Sequence, residues 1–585
     1  MSLPRIAVVG TGPTGIYAFG RLIESRAPLD LTLVEAQERA GWGTPYAPGM
    51  NDEEMLANIA SVEIPPVTET LVAFLQRQDD AELLRIGVPR ERIDARAFYP
   101  RLVLGEYFGA QMARLIERAG TAGHRVTVLT RTRVTDAALQ DADVRLTVER
   151  VGAEEGESGG EGLDAFMAFD RVVMATGHDA HASTETHPLR FASPYPTAEL
   201  ARVPAVHVGI RGTSLSGIDA MVAVATAHGG FLRDAAGTLL YHPRAGSEGF
   251  RVTMMSRKGL LPEADFFFPI PYDDNLVLTD AAVDALVAQG RPDLLDATFE
   301  LFREELMLAD PDWCASIGLA GLDADSFGAA YWGLRDRKDP LRWAGINLAE
   351  SVANYEREHV VPWRYAILRT HETVARIVPH LAPSDLERFN RGWKGTFVDD
   401  YATVPHESIE RVLAMANAGR LDILKVGGRH RVEDREPAGA VVTKEDGERL
   451  EFGAFVEATG QRALSLEDLP FPTLLAQGAV RAARVRVERP FETDEGVVEE
   501  VEGIDLDDAF RPVSEGGLHA GLHLLALPFL LHRMPFAQGI TVAQELGEAV
   551  AEAILRDETG AEEGPSLDLG MGGVVRPSGL ILAAQ

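Results

Sequence analysis

The 585-residue sequence predicts an α/β fold with two Rossmann-like units and a mostly helical insertion. Two apolar segments, "RIAVVG" and "AVHVGI", each lead into a turn of small residues and then into a segment with helical periodicity. This order is typical of the first strand, turn and helix of a parallel βαβ unit. Between residues 286 and 430, strand-like segments give way to helix-like ones such as "DLLDATFELFREELMLA".

The composition argues against several classes of protein. The net charge of -33 would repel nucleic acid and anionic membranes. The single cysteine, Cys314, cannot form an internal disulfide, which fits a reducing compartment. The N-terminal apolar run is too short for a signal peptide, and "LHLLALPFLLH" is too short to span a bilayer. We therefore expect a cytoplasmic protein without nucleic-acid or membrane partners; homo-oligomerisation stays open.

The first turn, in "VVGTGPTGIYAFGRLI", has the spacing of a dinucleotide-binding fingerprint. Its first glycine allows a tight bend, its second lets the backbone approach a pyrophosphate, and its third lets the helix pack against the strand. The next strand, "LDLTLVE", ends in a carboxylate placed to accept hydrogen bonds from ribose hydroxyls. The predicted site comprises Gly10, Gly12, Pro13, Thr14, Gly15 and Glu35.

The second turn repeats the pattern with one change, because a serine replaces the middle glycine. The predicted contacts are Gly212, Ser214, Leu215, Ser216 and Gly217. Arg257 and Lys258 follow the next strand, where two cations would suit a 2'-phosphate and favour NADPH over NADH. Their distance from the turn predicts an inserted loop or hairpin around "LRDAAGTLLYHPRAGSEG". A packing turn followed by a solvated Arg-Lys pair is the alternative.

Basic residues and tryptophans alternate in the helical region, in "DPLRWAGIN", "VPWRYAILRTH" and "RFNRGWKGTF". Such an arrangement either builds a stacked, anion-binding wall or forms cation–π packing on a helix surface. The cations concerned are Arg342, Arg364, Arg369, Arg391 and Lys394. No metal-ligand spacing is evident, and the sequence identifies no catalytic residue.

Further segments add to this pattern: "GWGTPYAPGMNDEEMLANIAS", "FYPRLVLGEYF", "SRKGLLP", "PFAQGI" and two strands that end in Ala-Thr-Gly. With the two fingerprints, the chain resembles the two-dinucleotide-binding flavoproteins, in particular the N-hydroxylating amino-acid monooxygenases. It is most similar to the nitrosuccinate-forming L-aspartate N-monooxygenases of natural-product biosynthesis. The resemblance assigns FAD to the first fingerprint and NADPH to the second.

The resemblance also implies roles for individual residues. The Ala-Thr-Gly segments, at Thr176-Gly177 and at residues 458–460, would mark crossings between the FAD and NADPH domains. Trp42, Gly43 and Asn58 would lie along the FAD, and Gln538 and Gly539 would begin a helix under the flavin. Arg101 matches a family position without a specified role. The expected domains are 1–200 (FAD, first part), 201–285 (NADPH), 286–430 (helical insertion) and 431–585 (FAD, second part).

The implied reaction is N-oxidation by NADPH and O2 through a flavin C4a-hydroperoxide. With aspartate as substrate, successive oxidations would give nitrosuccinate, and Arg364, Arg391 and Lys394 would bind its carboxylates. Ser214 departs from the family's second fingerprint, and the Baeyer–Villiger signature is absent. Two alternatives remain: an NADPH-dependent flavin reductase that serves a separate acceptor, and a catalytically silent flavin-binding protein.

Overall fold

Two parallel five-stranded sheets organise the structure, a computed structural model. It describes residues 3–140, 143–152, 165–177, 187–460, 462–487, 497–514, 516–537 and 539–559. The sheets, together with a helical middle domain, confirm the predicted α/β class with two Rossmann-like units and a helical insertion.

The first sheet holds the first fingerprint. Its strands, in spatial order, are Leu522–Leu524, Arg171–Met174, Arg5–Val9, Asp30–Val34 and Arg125–Leu129. The central strand is apolar and fully buried at Ile6, Ala7 and Val8, as expected where helices cover both faces of a sheet. Helix Pro13–Leu22 packs against the C-terminal helix Gly539–Thr559 so closely that a Cβ atom on Gly547 would lie 2.6 Å from the Thr14 carbonyl oxygen. The C-terminal helix therefore packs on the first domain.

The second sheet holds the second fingerprint. Its strands, in spatial order, are Leu421–Lys425, Arg251–Ser256, His207–Arg211, Ala454–Glu457 and Arg190–Phe191. The strand Ala454–Glu457 corrects the expected domain limits, because it pairs here although the boundary at residue 430 would place it in the returning FAD segment. An antiparallel hairpin of Gly229–Arg233 and Leu239–Pro243 accounts for the long separation between Gly217 and Arg257.

The chain passes between the two sheets at both Ala-Thr-Gly segments. Thr176 and Gly177 follow a strand of the first sheet, and the next described strand belongs to the second. After residues 458–460, which follow a strand of the second sheet, the Leu464 N–H donates to the Pro528 carbonyl at 3.0 Å and joins the first core. Each segment therefore follows a strand of one sheet and precedes described residues that belong to the other unit.

The middle domain packs around aromatic rings, chiefly Phe299, Phe302, Phe327, Trp393 and Phe397. Several of its helices begin with proline in the first turn or with an Asp or Thr side chain that caps it, as at Thr279. The helices are Asp280–Ala288, Leu294–Ala309, Pro311–Ile317, Phe327–Gly333, Pro340–Glu356, Pro362–Ala375, Pro383–Arg388, Lys394–Tyr401 and His406–Asn417, with a π-helical turn at Phe389–Trp393.

Smaller elements complete the fold. The remaining α-helices of the described residues are Leu71–Arg77, Asp80–Arg85, Arg101–Thr121, Thr197–Leu200, Leu215–His228 and Pro472–Ala476. Antiparallel strands form at Thr132–Gln140, Asp143–Arg150 and Ala165–Phe169; at Arg431–Asp434, Ala440–Thr443 and Arg449–Phe452; at Ala482–Val487 and Val497–Ile504; and at Val513–Ser514 and Gly517–Leu518. In the described part of the chain, no helix has the length and apolarity needed to cross a membrane.

Candidate functional site

The glycines of the first turn are required by their surroundings. Gly10 has φ +86°, and a Cβ atom there would lie 2.3 Å from the Ala175 carbonyl oxygen. A Cβ atom on Gly15 would lie 2.1 Å from the Gly10 carbonyl oxygen. Side chains at these positions would therefore push apart the strand, the turn and the helix that the fingerprint brings together.

The start of helix Pro13–Leu22 fits a pyrophosphate. Gly12 is its N-cap residue and supplies no side-chain cap, so the N–H groups of the first turn stay available to an anion. A Cβ atom on Gly12 would lie 3.1 Å from the Cα atom of Gly43, so this glycine keeps the approach to the helix open. The predicted roles of Gly12 and Gly43 in FAD binding are consistent with this geometry.

The Glu35 carboxylate is hydrogen-bonded to the fingerprint turn itself, which the sequence did not predict. Its carboxylate accepts hydrogen bonds from the Thr11 N–H at 3.0 Å, the Thr11 hydroxyl at 2.6 Å and the Gln37 N–H at 2.9 Å. A carboxylate has about four acceptor positions, which leaves capacity for a ribose hydroxyl. Glu35 therefore fixes the fingerprint turn, and its role in binding a ribose stays a prediction.

The second turn has the same construction despite its serine. Gly212 has φ +140°, and a Cβ atom there would lie 2.0 Å from the Ala458 carbonyl oxygen. Ser214 is the N-cap residue of helix Leu215–His228, and its hydroxyl makes no capping hydrogen bond. The first-turn N–H groups, which include those of Leu215 and Ser216, therefore remain available to a second pyrophosphate.

Of the two cations predicted to select NADPH, Lys258 lies against the middle domain. Lys258 places its Nζ atom 3.4 Å from the centroid of the Trp332 ring, and the Arg335 guanidinium lies 4.9 Å from the same centroid. Loss of water around the ammonium group lowers the pKa of Lys258 to about 8, although Asp336 opposes the shift. Arg257 is exposed at the end of strand Arg251–Ser256.

On the FAD side, the buried Asn58 Oδ1 atom has no hydrogen-bond partner among the described residues. An orphaned buried acceptor fits the family role that places this residue beside a flavin. Thr176 is exposed at the end of its strand and lines an apolar cleft with Leu524 and Phe529. Gly539 starts its helix with φ +80°, whereas Gln538 lies outside the described residues.

Arg101, the position without a specified role, joins the two dinucleotide units. Its guanidinium donates to Asp219 at 2.6 Å and to Asn51 and the Tyr195 hydroxyl at 3.0 Å each. Asp219 belongs to the helix of the second fingerprint, and Arg101 begins a helix of the first unit. This buried pair connects the helix of the second fingerprint to the first unit.

A group of residues that the sequence did not single out lies where the middle domain meets the FAD unit. We call it the junction cluster: Glu63, Tyr272, His371, Glu372, Tyr401 and Phe536. The rings of His371, Tyr401 and Phe536 lie 5.3 to 5.9 Å apart in pairs. Phe536 stands three residues before the C-terminal helix. The cluster therefore lies beside the helix start that the resemblance places under the flavin.

The acids of the junction cluster have perturbed pKa values. Burial, with the nearby Asp265, raises the pKa of Glu63 to about 7. Burial, with the nearby Glu545 and Asp280, raises the pKa of Glu372 to about 8. Burial also lowers the pKa of His371 to about 4, so its ring is neutral. Carboxyl groups that titrate near neutrality are suited to exchanging a proton with a ligand.

The three residues predicted to bind substrate carboxylates are not brought together as a free group of cations. Arg364 is buried and paired with Glu263, which also pairs with Arg335 at 3.0 Å. Arg391 is 64% exposed and lies 3.4 Å from Asp325. The ammonium group of Lys394 has no hydrogen bond or ion pair to any described residue, and burial lowers its pKa. For Arg364, the Trp–Arg pattern therefore reflects packing inside the protein and not an anion-binding wall.

Two family models and one close relative match the chain. A model described as FAD-NAD(P)-binding matches residues 7–179, and one described as YdhS-like middle domain matches residues 279–401. The uncharacterized protein YdhS of Escherichia coli strain K12 is 40% identical over 569 residues, which cover 97% of this chain and 100% of that protein. The chain belongs to the YdhS family. This chain thus combines the dinucleotide-binding and YdhS-like middle domains.

Two solved structures are similar to this YdhS-family chain over nearly its whole length, at low sequence identity. The ornithine N-hydroxylase of Kutzneria sp. 744 shares 13% identity and a TM-score of 0.46, over 95% of this chain and 100% of that one. The L-lysine 6-monooxygenase of Pseudomonas syringae shares 14% identity and a TM-score of 0.41, over 95% and 99%. The FAD-NAD(P)-binding model confirms the predicted cofactors, FAD and NADPH, as an FAD and NAD(P) pair.

Proposed function

We propose that this protein is a monooxygenase that uses FAD, NADPH and O2 to oxidise the nitrogen of an amine. The overall first step is R–NH2 + O2 + NADPH + H+ to R–NHOH + NADP+ + H2O. The observation that carries the proposal is the packing of the His371 and Tyr401 rings of the middle domain against Phe536, three residues before helix Gly539–Thr559, which would cover the expected flavin with aromatic groups. A flavin reductase that serves another protein would not need such a group at this place.

In this proposal, separate groups of residues bind the cofactors, exclude water and position the two units. The turns at Gly12 and Ser214 bind the two pyrophosphates, and Glu35 binds a ribose. FAD, when bound, supplies the oxygen-activating chemistry. The aromatic rings around Phe536 keep water from the reacting nitrogen. The Arg101–Asp219 pair holds the two units at a fixed separation, so that NADPH meets the flavin in one geometry.

Aspartate and successive oxidation to nitrosuccinate were the finer expectation from the resemblance. A dicarboxylate needs at least two free cations. Among the three candidates in the described part of the chain, only Lys394 lacks a counter-ion. Aspartate therefore enters the test as one member of a panel.

The test is to incubate the purified flavin-loaded protein with NADPH and O2 over aspartate, ornithine, lysine and simple alkylamines. We expect an N-oxygenated product of at least one amine, detected by mass spectrometry. The variant Gly12→Ala, which should bind less FAD, serves as the negative control. Oxidation of NADPH to hydrogen peroxide alone with every amine would contradict the proposal, and dependence on an added electron acceptor would favour a reductase.

A further inference from the structure

We propose that the middle domain helps to select the nucleotide: Trp332 positions the Lys258 ammonium group for the 2'-phosphate of NADPH, and Lys425 is a further cation of the same site. The inference rests on the use of NADPH in the proposed function and adds two residues to the predicted pair of Arg257 and Lys258. Trp332 belongs to a helix of the middle domain, and Lys425 ends a strand that follows this domain in the chain.

Lys425 ends the strand next to the one that leads to Lys258. The two strands are parallel, and Lys425 lies opposite Ser256 in their register. The Val426 N–H donates to the Ser256 carbonyl at 3.0 Å. The turn that follows Lys258 passes so close that a Cβ atom on Gly259 would lie 2.8 Å from the Lys425 backbone nitrogen. The backbone therefore holds Lys425 beside the segment that carries Lys258.

Lys425 also lies on the face of the sheet that the second fingerprint helix covers. A Cβ atom on Gly217, in that helix, would lie 3.1 Å from the Met254 Cε atom. Met254 and Ser256 share a face because side chains alternate along a strand. Lys425 shares this face because it lies opposite Ser256 in the register. Its side chain therefore starts on the same side as the helix whose first turn would bind the pyrophosphate.

The positions of these strands match the parts of a nucleotide. The pyrophosphate is expected at the turn after strand His207–Arg211, and the adenosine ribose over the end of the next strand, Arg251–Ser256. Lys258 follows that second strand, and Lys425 ends the strand beyond it. A phosphate on the 2'-oxygen of this ribose brings roughly two negative charges to the place, whereas NADH presents only a hydroxyl group.

Three exposed cations, Arg257, Lys258 and Lys425, follow or end these two strands. None of them forms an ion pair within the part of the chain that the structure describes. The acid on the adjoining turn, Glu445, is paired with Arg429 at 2.8 Å. The whole chain has 89 acidic and 56 basic residues. In so acidic a protein, three cations without carboxylate partners at one sheet edge indicate an anionic ligand.

The Trp332 ring is held in place by its neighbours in the middle domain. The Tyr331 ring meets it edge-on at 5.4 Å, and the Arg335 guanidinium lies 4.9 Å from its centroid. Arg335 is itself 4% exposed and pairs with Asp399 at 2.6 Å. A Cβ atom on Gly395 would lie 3.9 Å from the Trp332 Nε1 atom, in ordinary contact. The ring therefore offers a fixed surface to a side chain from the second sheet.

Lys258 uses that surface. Its Nζ atom lies 3.4 Å from the Trp332 centroid, in a cation–π contact. An ammonium group has three N–H donors, so those that do not face the ring can donate to phosphate oxygens. The Lys258 pKa of about 8 leaves the group mostly protonated at neutral pH. A flexible side chain that is held in advance loses less freedom when its ligand binds. Trp332 is therefore a positioning residue, and Lys258 meets the phosphate.

The experiment compares adenosine 2',5'-bisphosphate with 5'-AMP, which lacks only the 2'-phosphate. The dissociation constants of both for the flavin-loaded protein are measured by calorimetry, so that the result does not depend on turnover. We expect the bisphosphate to bind at least about ten-fold more tightly than 5'-AMP, because charge-assisted hydrogen bonds hold the additional phosphate. A ratio of the two affinities near one would overturn the inference.

Variants locate the effect. Lys425→Met should lower the affinity ratio about five-fold, because it removes one cation from the phosphate. Trp332→Leu should lower it about three-fold, whereas Trp332→Phe keeps an aromatic face and should lower it less. The matched control is Lys338→Met, since the Lys338 Nζ atom lies 3.7 Å from the Trp343 centroid in the same domain. This control should leave the ratio within about two-fold of the wild type. With FAD content retained, an unchanged ratio in Lys425→Met or in Trp332→Leu would overturn the role proposed for that residue.

A second background separates positioning from a general structural effect. If Trp332 acts through Lys258, then Trp332→Leu should not change the affinity ratio further in protein that already carries Lys258→Met. An equal effect of Trp332→Leu in both backgrounds would show that the ring does not act through this cation, and would overturn the inference.

The inference and the proposed function fail in different ways. If the affinity ratios change as expected but no amine is oxygenated, the monooxygenase proposal fails and the nucleotide site stands. If an amine is oxygenated equally well with NADH and with NADPH, and the bisphosphate binds no more tightly than 5'-AMP, then N-oxygenation stands and the inference fails.

Discussion

Replacing Asp219 by asparagine tests the buried pair that connects the two dinucleotide units. Asp219 is 5% exposed and accepts the Arg101 guanidinium at 2.6 Å, together with the Tyr195 hydroxyl. Removing one partner of a buried ion pair costs about 3–5 kcal/mol, because the other charge stays buried without compensation. Arg101 keeps its hydrogen bonds to Asn51 and Tyr195 in this variant. We therefore expect Asp219→Asn to lower the free energy of unfolding by about 3 kcal/mol, the lower end of this range.

The assay is urea unfolding of the flavin-loaded protein, followed by far-UV circular dichroism and flavin fluorescence. Glu410→Gln is the matched control, since Glu410 pairs with Arg233 at the same distance of 2.6 Å but both side chains are at least 30% exposed. An exposed pair contributes about 0–1 kcal/mol. The loss of unfolding free energy in the double variant Arg101→Met/Asp219→Asn should be about 2 kcal/mol smaller than the sum of the losses in the two single variants.

The same variant should also slow reduction of the flavin by NADPH, because the pair sets the relation between the two units. If Asp219→Asn lost less than about 1 kcal/mol, or lost no more than the exposed control, the pair would not be the connection described here. If the variant were clearly destabilised but its flavin were reduced at the normal rate, the pair would stabilise the fold without setting the placement of the two units. That result would contradict the predicted effect on flavin reduction.

Three further predictions concern single residues. Gly12→Ala should lower the FAD content of the purified protein with an unchanged far-UV spectrum, whereas Gly230→Ala, where a Cβ atom would meet no atom within 4 Å, should retain FAD. Lys258→Met should raise the KM for NADPH by about ten-fold and leave the KM for NADH unchanged; equal effects on both would contradict the 2'-phosphate assignment. Burial raises the pKa of Glu372 to about 8, so the folded state holds this proton more tightly than the unfolded chain, and stability is lost as the pH rises through that value. As the pH rises from about 5 to about 9, the free energy of unfolding of Glu372→Gln, measured by urea titration, should therefore fall less than that of the wild type. A larger fall in the variant would contradict this prediction.

The features that the sequence predicted well are those encoded over short distances. The fingerprint at Gly10 to Gly15 needs a strand, a turn and a helix that are consecutive in the chain, and each has a recognisable pattern. The steric reason for Gly10, its approach to the Ala175 carbonyl, needs a strand that lies far along the chain. The pattern thus identified the glycine without showing what excludes a side chain.

The features that the sequence missed depend on pairs that are distant in the chain. Local alternation of Trp and Arg could not show that Glu263 neutralises Arg364 across about a hundred residues. The junction cluster has no local motif at all, because Glu63, Tyr272 and Glu372 come from three separate segments. One partial signal was available: Glu63 follows shortly after Asn58, a residue that the resemblance already placed beside the flavin.

The most direct test of N-oxygenation uses isotopically heavy dioxygen. The flavin-loaded protein is supplied with NADPH and n-butylamine under this gas, and the products are analysed by mass spectrometry. We predict a hydroxylamine whose oxygen atom is heavy, formed only when NADPH is present. Consumption of NADPH with hydrogen peroxide as the sole oxygenated product, for butylamine and for every amino acid of the panel, would contradict the account.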